Sequence, residues 1–74
     1  MVEKTDFEMK AANLLKAELK RKGVTYAGLV EKLAAIGVDE REANVRNKLS
    51  RGKFTAAYFL QCLNAIGSSS LHLE

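Results

Sequence analysis

The sequence predicts a small all-α domain of four helices with a helix-turn-helix at its centre. The 74 residues contain no proline and many Ala, Leu, Lys and Glu residues, which favour helices. Apolar residues recur at spacings of three and four, as on one face of a helix, and no run alternates as a strand would. Glycines follow the apolar patterns at the places where helices are expected to end.

The first helix is predicted to begin at Thr5, because Thr5 and Glu8 form a capping box. Lys20, Arg21 and Lys22 occupy the last turn, where positive charge suits the helix dipole, and Gly23 is expected to end the helix. The apolar stripe of this helix is predicted to comprise Phe7, Ala11, Leu14, Leu15 and Leu19.

The second helix is predicted to start after a Thr25 cap and to end at Gly37. Val24 and Leu29 are spaced as a hydrophobic staple across that cap. The residues expected to face the core are Leu29, Leu33 and Ile36.

The third helix is predicted over residues 39–51, with Asp39 and Glu42 as a capping box and Gly52 as its end. Its apolar face is narrow and consists of Val45 and Leu49.

The fourth helix is predicted to follow a Thr55 cap, with Phe54 and Phe59 as a second staple. Gly67 is expected to end it. The predicted buried stripe comprises Ala56, Phe59, Leu60, Leu63 and Ile66.

These patterns predict one helix-turn-helix domain over residues 5–67 and a flexible C-terminal tail over residues 68–74. The tail contains three consecutive serines and the single histidine, His72. Leu73-Glu74 resembles the remnant of an affinity tag and is excluded from the fold prediction.

The composition argues against an enzyme, a metal site and a cofactor. One cysteine excludes an intramolecular disulfide and a thiolate zinc cluster, and one histidine removes most acid–base and metal chemistry. Cys62 lies beside the apolar stripe of the fourth helix and is expected to be a buried, unreactive thiol. The sequence shows neither a signal peptide nor a membrane-spanning segment, which predicts a cytoplasmic protein without a membrane partner.

The third helix carries the strongest functional pattern. Two carboxamides and three cations fall on one arc of a helical projection, outside the side occupied by Val45 and Leu49. Arginine and lysine can donate to guanine and asparagine can pair with adenine, so this arc suits the major groove of DNA. An ordinary solvated helix face remains the alternative. The predicted base-facing residues are Arg41, Asn44, Asn47, Lys48 and Arg51.

Three segments of the chain resemble the lambda-repressor-like helix-turn-helix domains of Cro and related repressors. They are Thr25 to Leu33, then Val45 to Lys53, and then Phe59 to Gly67. The Arg51-Gly52-Lys53 step and the ending Leu-Asn-Ala-Ile-Gly are the most similar parts. The chain also resembles a small bacterial family of uncharacterised domains that carry the segment Lys-Leu-Ser-Arg-Gly-Lys-Phe.

The resemblance implies that the third helix is the recognition helix and that the fourth begins at a phosphate. Thr55 would then be a phosphate contact. The basic residues near the end of the first helix concentrate positive charge that could bind phosphate, although they also suit the negative end of the helix dipole. Tyr26 either contacts phosphate or covers the edge of the core. The predicted phosphate contacts are Lys20, Lys22, Tyr26, Lys53 and Thr55.

The leading hypothesis is sequence-specific binding of double-stranded DNA by a small bacterial transcription regulator. Such domains usually bind as dimers, so a homodimer is possible. The alternative is a protein-interaction module on a repressor-like fold that does not bind DNA. The acidic start of the third helix at Asp39-Glu40 and the modest net charge of +3 favour this alternative. In addition, the repressors usually open their second helix with Gln where this chain has Tyr26, and Ala34-Ala35-Ile36 lengthen that helix before its turn.

Overall fold

A computed structural model describes residues 6–71 of the chain, and within that range it contains four helices and no strand. The helices are α1 (Asp6–Lys22), α2 (Tyr26–Ala35), α3 (Glu42–Arg51) and α4 (Ala56–Ala65). The all-α, four-helix prediction is confirmed. The predicted cap at Thr5, together with His72 and Leu73-Glu74, lies outside the described residues.

The threonine caps of α2 and α4 form as the sequence predicts. The Thr25 hydroxyl oxygen accepts a hydrogen bond from the backbone N–H of Gly28 at 3.0 Å, and the Thr55 hydroxyl accepts one from Tyr58 at 2.9 Å. Each bond satisfies one of the N–H groups that the first turn of a helix leaves unpaired. The rings of Phe54 and Phe59 stack with their centroids 6.0 Å apart, which agrees with the predicted staple.

The third helix begins later than predicted, and the Asp39–Glu42 capping box does not form. Helix α3 starts at Glu42, and its N-cap is Arg41, which has an extended backbone and no side-chain cap. Glu40 itself accepts a hydrogen bond from the Arg41 N–H at 3.0 Å. Residues 39–41 therefore form a non-helical approach to α3 in place of its first turn.

One hydrophobic core lies between the helices, because α1 and α2 each pack against both α3 and α4. Phe59, also predicted in the core, packs against this cluster but is only partly buried. The predicted core residues that are buried are Leu15, Leu19, Leu29, Leu33, Val45, Leu49, Leu63 and Ile66.

Several side chains predicted to face the core are exposed instead. Phe7 is 82% exposed and Leu60 63% exposed, and Ala56 is also exposed. On α4 the buried face is rotated toward Tyr58 and Cys62, which the predicted stripe did not include. Ile36 lies beyond the end of α2 and is 43% exposed, so it does not share the buried face of Leu29 and Leu33.

Glu18 connects α1 to the segment that follows α4. Its side chain is 11% exposed, accepts a hydrogen bond from Arg21 at 2.7 Å, and accepts another from the Ser68 hydroxyl at 2.8 Å. The hydrogen bonds from Arg21 and then from Ser68 lower the pKa of Glu18 to about 2. Leu71 packs against the core beyond this contact. Within the described range, none of the four helices has the length and apolar character needed to cross a bilayer.

Candidate nucleic-acid interface

Helices α2 and α3 pack against each other and are joined by the turn over residues 36–41. The carbonyl of Leu33 accepts hydrogen bonds from the backbone N–H groups of Ile36 at 3.0 Å and Val38 at 2.9 Å. Gly37 has a φ of +86°, a conformation that a side chain disfavours. This turn fixes where α3 begins relative to α2.

Helix α3 presents polar side chains to solvent while two apolar residues hold it to the core. Val45 and Leu49 are fully buried. Of the predicted base-facing residues, Arg41, Asn44, Asn47 and Arg51 are exposed. Arg41 precedes the helix rather than occupying its first turns, so its side chain leaves from extended backbone.

Lys48 has a different environment from the other four predicted base-facing residues. Its ammonium Nζ lies 2.9 Å from Oε2 of Glu40 and 4.1 Å from the centroid of the Tyr58 ring. The Lys48 side chain is 38% exposed, whereas that of Glu40 is only 6% exposed. Lys48 therefore links the α2–α3 turn to α4 through an ion pair and a cation–π contact.

The same contacts explain how an acidic residue is accommodated just before α3. Burial raises the pKa of Glu40, but hydrogen bonds from Lys48, the Arg41 backbone N–H and Asn44 outweigh it and leave the pKa lowered. Glu40 is therefore a carboxylate directed into the domain and neutralised there by Lys48. Asp39 is exposed.

Beneath Lys48, two buried groups on α4 show no sign of reactivity. Tyr58 is 7% exposed, and its hydroxyl has no hydrogen-bond partner within the described part of the chain. Burial raises the pKa of the Tyr58 phenol above its usual range and that of the Cys62 thiol to about 11. The thiol is therefore protonated at neutral pH, and the predicted burial of Cys62 is confirmed.

The five predicted phosphate contacts are engaged to different degrees. Lys20 is exposed, while Lys22 donates to the Gly67 carbonyl at 3.2 Å and Lys53 forms an ion pair with Glu8 at 2.8 Å. Tyr26 is partly buried, with the Arg46 guanidinium 5.7 Å from its ring centroid. The Thr55 hydroxyl oxygen is occupied as a helix cap, as described above.

In a comparison with family models, residues 7–71 match the domain of unknown function DUF6471. The chain belongs to the DUF6471 family. No curated protein and no solved structure gives a significant match.

Sequence reasoning missed two partners within this DUF6471 domain, Glu40 and Tyr58, which hold Lys48. The sequence indicates Glu40 only as a charge near the DNA end of a helix, and Tyr58 lies outside the predicted stripe of α4. The spacing of eight residues between Glu40 and Lys48 matches no helical pairing rule, so the sequence offered no signal for their contact. Within residues 6–71, no group of three or more His, Cys, Asp or Glu side chains could hold a metal ion.

Proposed function

We propose that this DUF6471 domain is a cytoplasmic bacterial transcription regulator that binds double-stranded DNA, with α3 in the major groove. The observation that supports the proposal best is the exposure of four polar residues on α3 and at its N-cap. Val45 and Leu49 anchor this helix in the core. The exposed residues are Arg41, Asn44, Asn47 and Arg51. Two arginines and two asparagines supply the donors and acceptors that read guanine and adenine edges.

Phosphate contacts would come from the flanking elements. Lys20 is the best candidate because its side chain is exposed and forms no hydrogen bond or ion pair with the described residues. Lys22, Tyr26, Lys53 and Thr55 would contribute by exchanging or extending the contacts that they already make. The N-terminus of α4, after Thr55, adds the partial positive charge of a helix start.

Lys48 has a smaller part in this proposal than the sequence suggested. Its ammonium group would have to leave Glu40 and the Tyr58 ring before it reached a base. Glu40 has few other routes to charge compensation because its side chain is buried. We therefore propose that Lys48 mainly orients the start of α3 and that Arg41, Asn47 and Arg51 face the bases. Asn44 would join them by releasing its hydrogen bond to Glu40.

A second candidate function is a protein-interaction module on this fold. The exposure of Phe7 and Leu60, at 82% and 63%, favours it because large apolar side chains on a small surface often mark an interface. In that case the contact surface for another protein would include Phe7 and Leu60 in addition to Arg41, Asn44 and Lys48, the residues that the sequence indicates.

Two substitutions separate base reading from general attraction to DNA. Asn47→Ala should cost about 1–3 kcal/mol on a selected duplex and relax its preference over a scrambled one, without changing the salt dependence. Lys20→Ala should weaken binding to both duplexes and reduce the slope of log affinity against log salt by about one unit. Fluorescence anisotropy with both duplexes at several salt concentrations measures both effects.

Gln61→Ala provides the matched control, since Gln61 is an exposed amide on α4 and lies outside the proposed interface. It should leave affinity and sequence preference unchanged. Equal, weak binding of both duplexes that is unaffected by Asn47→Ala would reject sequence-specific DNA binding and favour the protein-interaction module.

A further inference from the structure

An apolar surface between α1 and α4 is left uncovered by the other residues of the described range 6–71. We name it the α1–α4 face and define it by Asp6, Phe7, Lys10, Leu14, Phe59, Leu60 and Leu71. Phe7 and Leu60 are the most exposed large apolar side chains of the described residues, while Leu14, Phe59 and Leu71 are partly buried. Exposure of these apolar side chains to water is unfavourable, and a second surface that covered them would lower the free energy.

The face is continuous rather than a set of isolated side chains. It consists of three shallow depressions that share lining residues. Lys10 and Leu14 line both depressions along α1, and Phe59 and Leu71 line both depressions beside α4. A partner could therefore contact the whole surface at once.

The distribution of charge on this face is the feature that identifies a partner. Helix α4 contains no charged residue at all. The charged residues that line the three depressions are Asp6 and Lys10, one turn apart on α1. Neither side chain forms an ion pair with any residue of the described range. The face thus combines apolar contacts with one acid and one base, and it has no net charge.

We propose that a second copy of this chain binds the α1–α4 face and forms a two-fold symmetric homodimer. In such an interface each contact occurs twice, with the roles of the two subunits exchanged. Two antiparallel α1 helices that cross midway between Asp6 and Lys10 would bring Asp6 against Lys10 of the partner subunit, and Lys10 against Asp6 of the partner subunit. The same association that covers the apolar side chains would then neutralise Asp6 and Lys10, which have no ion-pair partner among the described residues.

The overall charge also favours this occupant at this surface. Two copies with a net charge of +3 repel each other wherever basic surfaces meet. The α1–α4 face avoids that repulsion because its acid and base balance. A strongly acidic or basic partner would find only one opposing charge on it. The proposal does not depend on DNA binding, and its test contains no DNA.

Sedimentation equilibrium over a range of concentrations tests the interface. The wild-type mass should rise from the 8.2 kDa of the monomer toward twice that value as concentration increases. Leu60→Glu should raise the dimer dissociation constant at least about tenfold, because it buries an unpaired charge in the interface. Ile36→Glu is the matched control, since Ile36 is an exposed apolar residue that lies outside the face, and it should leave the dissociation constant unchanged.

A charge exchange tests the two-fold arrangement directly. Lys10→Asp places two acids against each other at both ends of the contact and should weaken association. Adding Asp6→Lys to the same chain restores opposite charges across the two-fold axis and should restore association. Circular dichroism confirms that each variant remains helical, so loss of folding is distinguished from loss of contact.

Three results would overturn the proposal. They are a mass that stays at the monomer value at every concentration, association that survives Leu60→Glu, and a double exchange that fails to restore what Lys10→Asp removes. The last result would show that copies meet through a different arrangement.

Discussion

Glu40 and Lys48 are charged residues that bind each other within the domain and do not extend freely into solvent. An acid before a recognition helix would repel phosphate if it faced outward, but Glu40 is buried and paired with Lys48 at 2.9 Å. The sequence indicates that both residues are charged, because the type of each side chain can be read directly from it. It could not indicate their pairing, because that depends on the non-helical backbone of residues 39–41. Burial of Cys62 was predictable because an apolar stripe surrounds it on α4.

Glu18 provides a prediction at the scale of one residue. Its pKa is lowered to about 2 in the folded domain, below the value near 4.3 expected of an unfolded chain. A group with a depressed folded pKa stabilises the protein above its unfolded pKa, and this contribution disappears as pH falls through the folded value. We therefore expect Glu18→Gln to lower the urea midpoint at pH 7, and the difference from wild type to shrink between about pH 5 and pH 2.

Urea titrations at several pH values measure this difference. Glu31→Gln is the control, because Glu31 is exposed on α2 and forms no ion pair with the described residues. A deficit in Glu18→Gln that stayed constant down to pH 2 would mean that Arg21 and Ser68 do not stabilise the charged form.

At the scale of a helix, local signals were decisive at some ends and insufficient at others. Thr25 and Thr55 cap their helices as predicted, because a hydroxyl three residues before a free N–H needs no help from elsewhere. The Asp39–Glu42 pattern also predicts a helix start, but this capping box does not form because Glu40 turns inward to pair with Lys48 and α3 begins only at Glu42. The buried face of α4 was misplaced because Tyr58 is less apolar than Leu60, although packing places Tyr58 inside.

The end of α3 gives a prediction at this scale. Gly52 has a φ of +70° and ends α3, and a Cβ added there would lie 2.6 Å from the backbone oxygen of Glu8 in α1. Gly37, with a φ of +86°, has open space around the same position. Gly37→Ala should cost about 1–2 kcal/mol, the penalty of a left-handed residue. Gly52→Ala should cost clearly more, because the methyl group also forces α1 and α3 apart.

Chemical denaturation of the two variants gives the comparison, and Gly37→Ala acts as the control for backbone conformation alone. Equal losses would indicate that α1 moves away from Gly52 without resistance.

At the scale of the whole molecule, composition and periodicity were enough to predict four helices around a single core. They were not enough to distinguish core from interface. Phe7 and Leu60 fit the apolar stripes as well as buried residues do, but the domain has too little interior to cover them. The candidate DNA contacts on α3 were predictable as exposed residues, whereas the engagement of Lys22, Lys53 and Lys48 required the packed structure.

Because all four helices share one core, a substitution at one buried position should lower the stability of the whole domain. Leu33 is fully buried on α2, which packs against α3 and α4. Leu33→Ala should therefore remove about 2–5 kcal/mol, a large part of the stability of so small a domain. Far-ultraviolet circular dichroism and tyrosine fluorescence should report the same lowered midpoint. A midpoint equal to that of wild type would place Leu33 outside the core, and separate midpoints would indicate that the helices unfold independently.

The contact of Lys48 with both Glu40 and Tyr58 has a consequence for how the family can vary over evolutionary time. Loss of Lys48 leaves the buried carboxylate of Glu40 without a counterion. Loss of Glu40 leaves the Lys48 ammonium above the Tyr58 ring without its counterion. A lineage that replaces one of the three residues thus gains by replacing the others. Positions 40, 48 and 58 should be inherited together across DUF6471 domains, whereas neighbouring exposed positions such as 47 and 51 are free to diverge with the ligand of each member.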